Sequence, residues 1–444
     1  MNAELDRFLT KHEQKMHEDL QDFVAIPSVS EDKEKVREAL RYILDLARSY
    51  GLKAESFLDE QVGVIEMGEG DETLGILAHV DVVPPGDPAE WTFDPFDAVD
   101  CEGRMYGRGT IDDKGMVLAS LYAMMAVKSL GQPLKKKVQL ILGTQEEVEW
   151  TDMDAYVKAY PLPDYGFTPD GEYPICNIEK GIVDQVMEFD YIKEPAPEGL
   201  HLIGLNIGIA NNVVPGTAEA VLSDGRVITA RGHDCHSSIP EHGENAIFKL
   251  AEELKGLGLA ENSLLKLILD VTETFSDWEG KDIGLKSESE YYQGEFVHRN
   301  TIAPTILKAD GGIAKLVIDV RFPYGESMER IEETLDKWAT DRGGHTVMID
   351  ALPATFVSRE RPFLKVFEDA YEDVTGLINE FTVAYGGSYA KAMPNIVSWG
   401  PLFPGEEDTC HMPNEYIDLE NMMLSAKIFA ESIAQIVLTD KSFK

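Results

Sequence analysis

The chain has 444 residues, too many for one core, so two domains are expected. A formal net charge of -40 repels phosphate backbones and anionic membrane surfaces, and neither nucleic acid nor a membrane is an expected partner. Cys101, Cys176, Cys235 and Cys410 are scattered, which argues against a disulfide framework and a thiolate zinc site, and no apolar run approaches the roughly 20 residues that span a bilayer.

The N-terminus is charged and lacks the apolar core of a signal peptide, so the expected compartment is the cytoplasm. Leu5, Phe8, Leu9, Met16, Leu20 and Phe23 recur mainly three, four or seven apart, predicting an amphipathic helix over 5–24. Residues 31–50 repeat the pattern, with Ser28 or Ser30 as a cap. Strands are predicted at 53–57, 62–67 and 74–79, and helices followed by strands signal an α/β layer. The third strand ends on His79, with Asp81 two residues on, so an extended chain points both side chains the same way.

Residues 87–103, with WTFDPF and two prolines, read as a surface loop. GRGTIDDKG at 107–115 then sets Asp112 and Asp113 between glycines, just before an apolar helix over 116–130. A buried strand at 137–142 runs into GTQEE and leaves Glu146 and Glu147 past its C-terminal end, where open α/β sheets build their sites. A helix over 151–159 and a strand at 165–168 lead to PDGEYP, a turn bearing Asp170.

From residue 182 the texture changes to alternating runs (183–189, 200–209) around Gly- and His-rich loops, with a helix near 245–254. A polar stretch at 277–294, a strand at 314–319 and a helix over 327–342 follow. Residues 182–351 therefore read as an inserted α+β domain, with room for two subdomains, and 1–181 with 352–444 as a discontinuous catalytic domain. The C-terminal part carries GGSYAKAMP, a strand at 396–399, EEDTCHMPNE with His411, and a helix over 419–437.

His79, Asp112, Glu147, Asp170 and His411 are all imidazole or carboxylate at predicted strand ends or loops, a donor set that suits zinc, cobalt or manganese. If two ions sit roughly 3.5–4 Å apart one residue must serve both, and Asp112 is best placed in its Gly-flanked loop. His79 and Asp170 then complete one ion's set, and Glu147 and His411 the other's. Of the adjacent acids, one binds metal while Glu146 takes the proton of a water and returns it to a leaving amine. Each piece has a bland alternative: an ordinary strand end, a helix N-cap at Asp112-Asp113, an acidic corner, a turn, a surface histidine. Their common place at the edge of an α/β sheet favours the metal reading.

The ordered set LAHVDVVP, GRGTIDDKG, GTQEE, PDGEYP and EEDTCH resembles the di-zinc peptidases and deacylases that include aminoacylase, carnosinase and carboxypeptidase G. PDGEYPICNIEKG, NVVPG, DVRFPYG, GGSYAKAMPN and FPGEEDTCH look like the bacterial dipeptidase V branch. The resemblance implies a central mixed sheet flanked by helices with an inserted lid, two zinc ions (cobalt or manganese as substitutes) on the five residues above, and Glu146 as general base. It implies that Asp81 orients the His79 ring, that the Asp112–Asp113 peptide is cis, and that His236 in GHDCHSSIPEHGENA donates to the developing oxyanion. Asn212, Arg321 and the backbone at Gly387 and Ser388 would hold the carboxyl end of a small peptide, for which a guanidinium fork is suited.

Two departures from the family pattern stand out: Gln145 where many relatives have an acid, and Val148-Glu149 in place of small residues. The inserted block is longer than the single lid through which many relatives dimerise, so a monomer is expected. The implied activity is a cytoplasmic zinc metallopeptidase, a dipeptidase acting on unblocked dipeptides or very short peptides. The alternatives are an N-acyl or N-succinyl amino acid deacylase with the same site and a metal-dependent peptide-binding protein without hydrolysis.

Overall fold

The computed structural model describes residues 2–191 and 196–444. It divides into two compact units, Met1–Asn177 with Phe356–Ala384 and Ser388–Lys444, and Ile178–Thr355 with Tyr385–Gly387.

The first unit is an α/β layer structure around a mixed sheet. Neighbouring strands run Lys53–Phe57, Val62–Met67, Lys137–Gly143, Thr73–His79, Tyr165–Thr168 and Ile396–Ser398. Lys137–Gly143, Thr73–His79, Tyr165–Thr168 and Ile396–Ser398 are mutually parallel, and their carboxyl ends share one edge. Pleating splits the strand residues between two cores. Ile76, Ala78, Leu140 and Leu142 join helices Ala3–Val24, Lys114–Ser129 and Leu419–Val437, whereas Leu77 and Ile141 face Met153, Tyr156 and Tyr389.

Helix Lys114–Ser129 is buried along nearly its whole length, as its apolar composition all round requires. Its first residue, the fully buried Lys114, donates through Nζ to the carbonyls of Phe23 (3.1 Å), in the last turn of the N-terminal helix, and of Ile26 (2.7 Å), just past its end. That contact anchors the acidic loop before Lys114 to the core. The second predicted helix is Lys33–Ser49, and it is capped by Asp32, not by Ser28 or Ser30. Ser28 instead donates to the Val80 carbonyl (2.6 Å) and Ser30 to the Asp81 carboxylate (2.8 Å), so both serines serve the strand end beside the site.

The second unit is built on one antiparallel seven-stranded sheet, ordered Val227–Arg231, Thr217–Leu222, Leu202–Ile207, Thr301–Asp310, Ile313–Phe322, Gly181–Asp190, Gly344–Leu352. Helices Ala246–Lys255, Ser263–Phe275 and Met328–Thr340 pack into its core. The helix Ser263–Phe275 and the strands Thr301–Asp310 and Gly344–Leu352 are additions to the sequence-based expectation. Among the described residues, no helix is long and apolar enough to cross a membrane.

Candidate metal centre

Three of the parallel strands deliver the acidic edge. His79 closes its strand directly opposite Gly143, Glu146 and Glu147 follow in the turn after Lys137–Gly143, and Asp170 lies two residues past Tyr165–Thr168. Asp112 enters from the loop ahead of helix Lys114–Ser129 and His411 from the segment ahead of Leu419–Val437. His79 Nε2 lies 2.9 Å from Asp112 Oδ1, and His411 Nε2 lies 2.9 Å from Asp112 Oδ2. His411 Nε2 is also 3.1 Å from Glu147, and Asp170 Oδ2 is 3.8 Å from His79 Nε2. Two groups have ligand atoms mutually within 4.8 Å: His79, Glu146 and Asp170, and His79, Asp112 and Glu147. The five ligand candidates of the sequence thus meet at one place, and Glu146 stands beside them close enough to ligate as well as to act as a base.

The donor chemistry fits a pair of divalent cations. Asp112 offers one oxygen to each of two imidazoles, the placement a bridging carboxylate requires, and all donors are nitrogen or oxygen. Removal from water pushes the Glu146 carboxyl well above its ordinary value, helped by the charges of Asp170, Glu147 and Asp112. The same cause raises Glu147, and raises Asp170 to about 7. Hydrogen bonds to Asp112 and Glu147 lift His411 to about 11; burial opposes the rise at His79, but bonds to Asp112 and Asp81 still carry it well above the ordinary range. Asp113 Oδ2 accepts from the His79 amide (3.1 Å), while its Oδ1, fully buried, has no partner among the described residues. Crowded acids and imidazoles, all with raised pKa values except Asp112, form a donor set whose charge balance a cation would supply.

That balance predicts proton release. With both histidines raised, His411 to about 11, their protonated forms are favoured, and a cation can only take Nε2 after the proton leaves. Loading with zinc at pH 7 is expected to release at least about two protons per chain, read with an indicator in weak buffer. If zinc binds and the solution pH does not move, the imidazoles are not ligands.

The acids are held by Asp81, which the sequence marks, and by further groups that no local sequence pattern marks. The buried Asp81 carboxylate accepts from the backbone amides of Glu146 (3.2 Å) and Glu147 (3.3 Å) and from Ser30, while its carbonyl oxygen is 3.0 Å from His79 Nδ1. Asp81 therefore positions the two glutamates as well as the ring. Asp152, in the first turn of helix Thr151–Ala159, accepts from the amides of Thr144 (2.6 Å) and Gln145 (3.2 Å) and from the Tyr389 hydroxyl (2.9 Å). Gly143 gives Tyr389 its room, since a Cβ there would lie 2.3 Å from the hydroxyl. Gln145, the departure noted in the sequence, bonds through its side chain to Thr151.

Glu415 makes the longest-range brace. Fully buried, it accepts through Oε1 from the amides of Gly109 (2.9 Å), Ile111 (3.1 Å) and Asp112 (3.4 Å), and through Oε2 from Arg108. Because it lies four residues from His411, one carboxylate sets the spacing between the Asp112 loop and the His411 segment. Glu415→Ala is expected to weaken zinc affinity about 10–100-fold, the usual cost of losing a supporting partner, measured by calorimetric titration. Unchanged affinity would remove Glu415 from the site. The Asp112–Asp113 peptide is cis.

The remaining sequence candidates belong, with one exception, to the second unit. The strand Val213–Val214 pairs with Cys235–His236 beside Asn212, whose carbonyl accepts from the Ser237 amide (2.9 Å). The Ser238 amide donates to His236 Nδ1 (3.2 Å), so the neutral ring carries its proton on Nε2. Burial, then the charge of Arg321, lower the His236 pKa and keep the ring neutral. Arg321 is nearly buried and donates from Nη1 to the Tyr385 carbonyl (3.3 Å), which precedes the exposed Gly386 and Gly387. Its Nε and Nη2 are taken by Asp319 (3.1 and 2.8 Å), so the fork is not wholly free, as the sequence alone would suggest. Ser388, in the first unit, is buried and caps the turn Tyr389–Lys391.

The chain is similar to known peptidases. Residues 75–435 match the model of peptidase family M20/M25/M40. The chain is 32% identical to the "Putative dipeptidase YtjP" of Bacillus subtilis (strain 168), across 98% of this chain and 100% of that one. It is 31% identical to the Beta-Ala-Xaa dipeptidase of Lactobacillus delbrueckii subsp. lactis, across 94% and 95%. Among solved structures, human carnosine dipeptidase 1 has the same fold, with a TM-score of 0.61 at 16% identity over 97% of this chain and 98% of that one.

Proposed function

Because the chain belongs to peptidase family M20/M25/M40 and is a hydrolase of peptide bonds, we propose that it is a zinc-dependent dipeptidase acting on unblocked dipeptides or very short peptides. The observation that carries the reading is Asp112 with one oxygen on each of two imidazoles and Glu146 standing free of any side-chain partner beside them, among the described residues. Two zinc ions, or cobalt or manganese in their place, would be held by His79, Asp112, Glu147, Asp170 and His411. Bound there, such a pair supplies Lewis-acid activation of a water and of the scissile carbonyl.

The chain's own groups do the rest. Glu146, whose backbone amide is held by Asp81 and whose carbonyl is held by Trp150 Nε1, takes the proton of the attacking water and returns it to the departing amine. His236, neutral with its proton on Nε2, donates to the oxyanion as it forms. Asn212, Arg321 and the backbone at Gly387 and Ser388 hold the substrate's carboxyl end. The acidic surface of a chain with net charge -40 is consistent with a monomer in the cytoplasm.

A panel of Leu-Gly-type dipeptides and their N-acetyl forms, run with zinc, cobalt and manganese, tests this. Free dipeptides are expected to turn over and N-acetyl forms to lag by at least tenfold. Preference for the N-acetyl forms would make the enzyme a deacylase. Tight binding without turnover at full metal occupancy would make it a peptide-binding protein.

A further inference from the structure

In the seven-stranded sheet, Asp350, Asp184 and Asp319 stand directly opposite one another on three adjacent strands. Opposed side chains in such a row are about 4.5–5.5 Å apart, and like charges there are destabilising. The row also runs inward, from an exposed Asp350 through a half-buried Asp184 to a fully buried Asp319. An arrangement that costs stability needs a compensating group, and the compensation sits two residues along the same strand and face: Arg321, with Nε 3.1 Å from both Asp319 oxygens and Nη2 2.8 Å from Oδ2.

Counting the guanidinium's five N–H groups shows what this pairing leaves. Asp319 takes the Nε hydrogen and one on Nη2, and the Tyr385 carbonyl takes one on Nη1. Among the described residues, one hydrogen remains on each of Nη1 and Nη2, the two nitrogens at the end of the guanidinium. Two parallel donors of that kind fit the two oxygens of one carboxylate. Asp319 also fixes which edge of the guanidinium faces inward, because a planar group held at Nε and Nη2 cannot rotate about its stem. Burial, then the Asp319 charge and a side-chain hydrogen bond with it, raise the Asp184 pKa to about 8.

We propose that Asp319 is a positioning residue for substrate selection: by occupying the side edge of Arg321 it presents the two end-on N–H groups that make a free C-terminal carboxylate the required feature of the substrate. This rests on the reading of Arg321 as the group that holds the substrate's carboxyl end.

The test compares each enzyme on one dipeptide and on the same dipeptide as its C-terminal amide. The ratio of the two kcat/KM values is taken within one preparation, so the fraction of folded protein cancels. The wild-type ratio is expected to favour the free acid by at least about 100-fold. In Asp319→Asn the ratio falls at least tenfold, with the loss in KM for the acid and little change for the amide, and Asp319→Glu restores part of it. If Asp319→Asn lowers both substrates equally, or leaves the ratio alone, the inference is overturned. Should Asp319→Asn not fold, the longer Asp319→Glu arm displaces the fork and its ratio decides in the same way: unchanged, it overturns the inference. Arg321→Met separates the two ideas, because a ratio unchanged in that variant refutes the carboxylate role of Arg321 itself.

Discussion

Glu146→Gln will keep its metal and lose its turnover. The substitution preserves size and the backbone bonds to Asp81 and Trp150 but removes the only function proposed for this side chain, taking and returning a proton. A positioned acid–base group contributes about 10²–10⁴-fold, so kcat should fall by that much with KM nearly unchanged. Metal analysis must accompany the kinetics, because Glu146 also lies in a group with His79 and Asp170 whose ligand atoms are within 4.8 Å of one another. Loss of metal in step with activity would make Glu146 a ligand, and turnover above a tenth of wild type would end its assignment as base.

Asp112→Ala will lose both. Each imidazole faces a different oxygen of this carboxylate, so its removal takes a donor from each proposed ion and leaves His79 and His411 without their shared anion. Lewis-acid stabilisation is worth several kcal/mol, so activity should drop at least about 10³-fold, and metal per chain should fall below one equivalent after dialysis. A variant that kept a full complement of metal would refute the bridge. Asp112→Asn sharpens the point: its amide offers a single oxygen, and one ion at most should remain.

Four of the candidate ligands and the candidate base were legible because each lies at the edge of a local pattern. His79 ends an apolar strand, Glu146 and Glu147 follow another, Asp170 sits in the turn after a third, and Asp112 lies two residues before a helix. Where the local pattern misled, the physical reason is visible. Strand Thr301–Asp310 is buried at nearly every position and contains Pro304, so it shows no alternation and carries a residue that argues against a central strand. Gly344–Leu352 is an edge strand with most positions exposed, so it too lacks the period of two. Helix Ser263–Phe275 opens on the nearly continuous apolar run SLLKLIL, which reads equally as strand or helix. Ser28 and Ser30 were eligible caps by residue type, but Asp32 lies at the helix entrance and the serines found partners across the chain at Val80 and Asp81.

By itself the sequence determined the α/β character of the chain, the order of the acidic and histidine-bearing loops, and the family whose chemistry they carry. Only the tertiary structure decided that Asp112 faces both imidazoles, that Glu415 reaches back some 300 residues to the amides of the Asp112 loop, and that Asp319 occupies one edge of Arg321. Periodicity records which side of an element meets the core, and it does so over a few turns or strand residues. The direction in which a buried carboxylate spends its hydrogen bonds is set by whichever donors the folded chain brings within about 3 Å, and that is information no stretch of sequence holds locally.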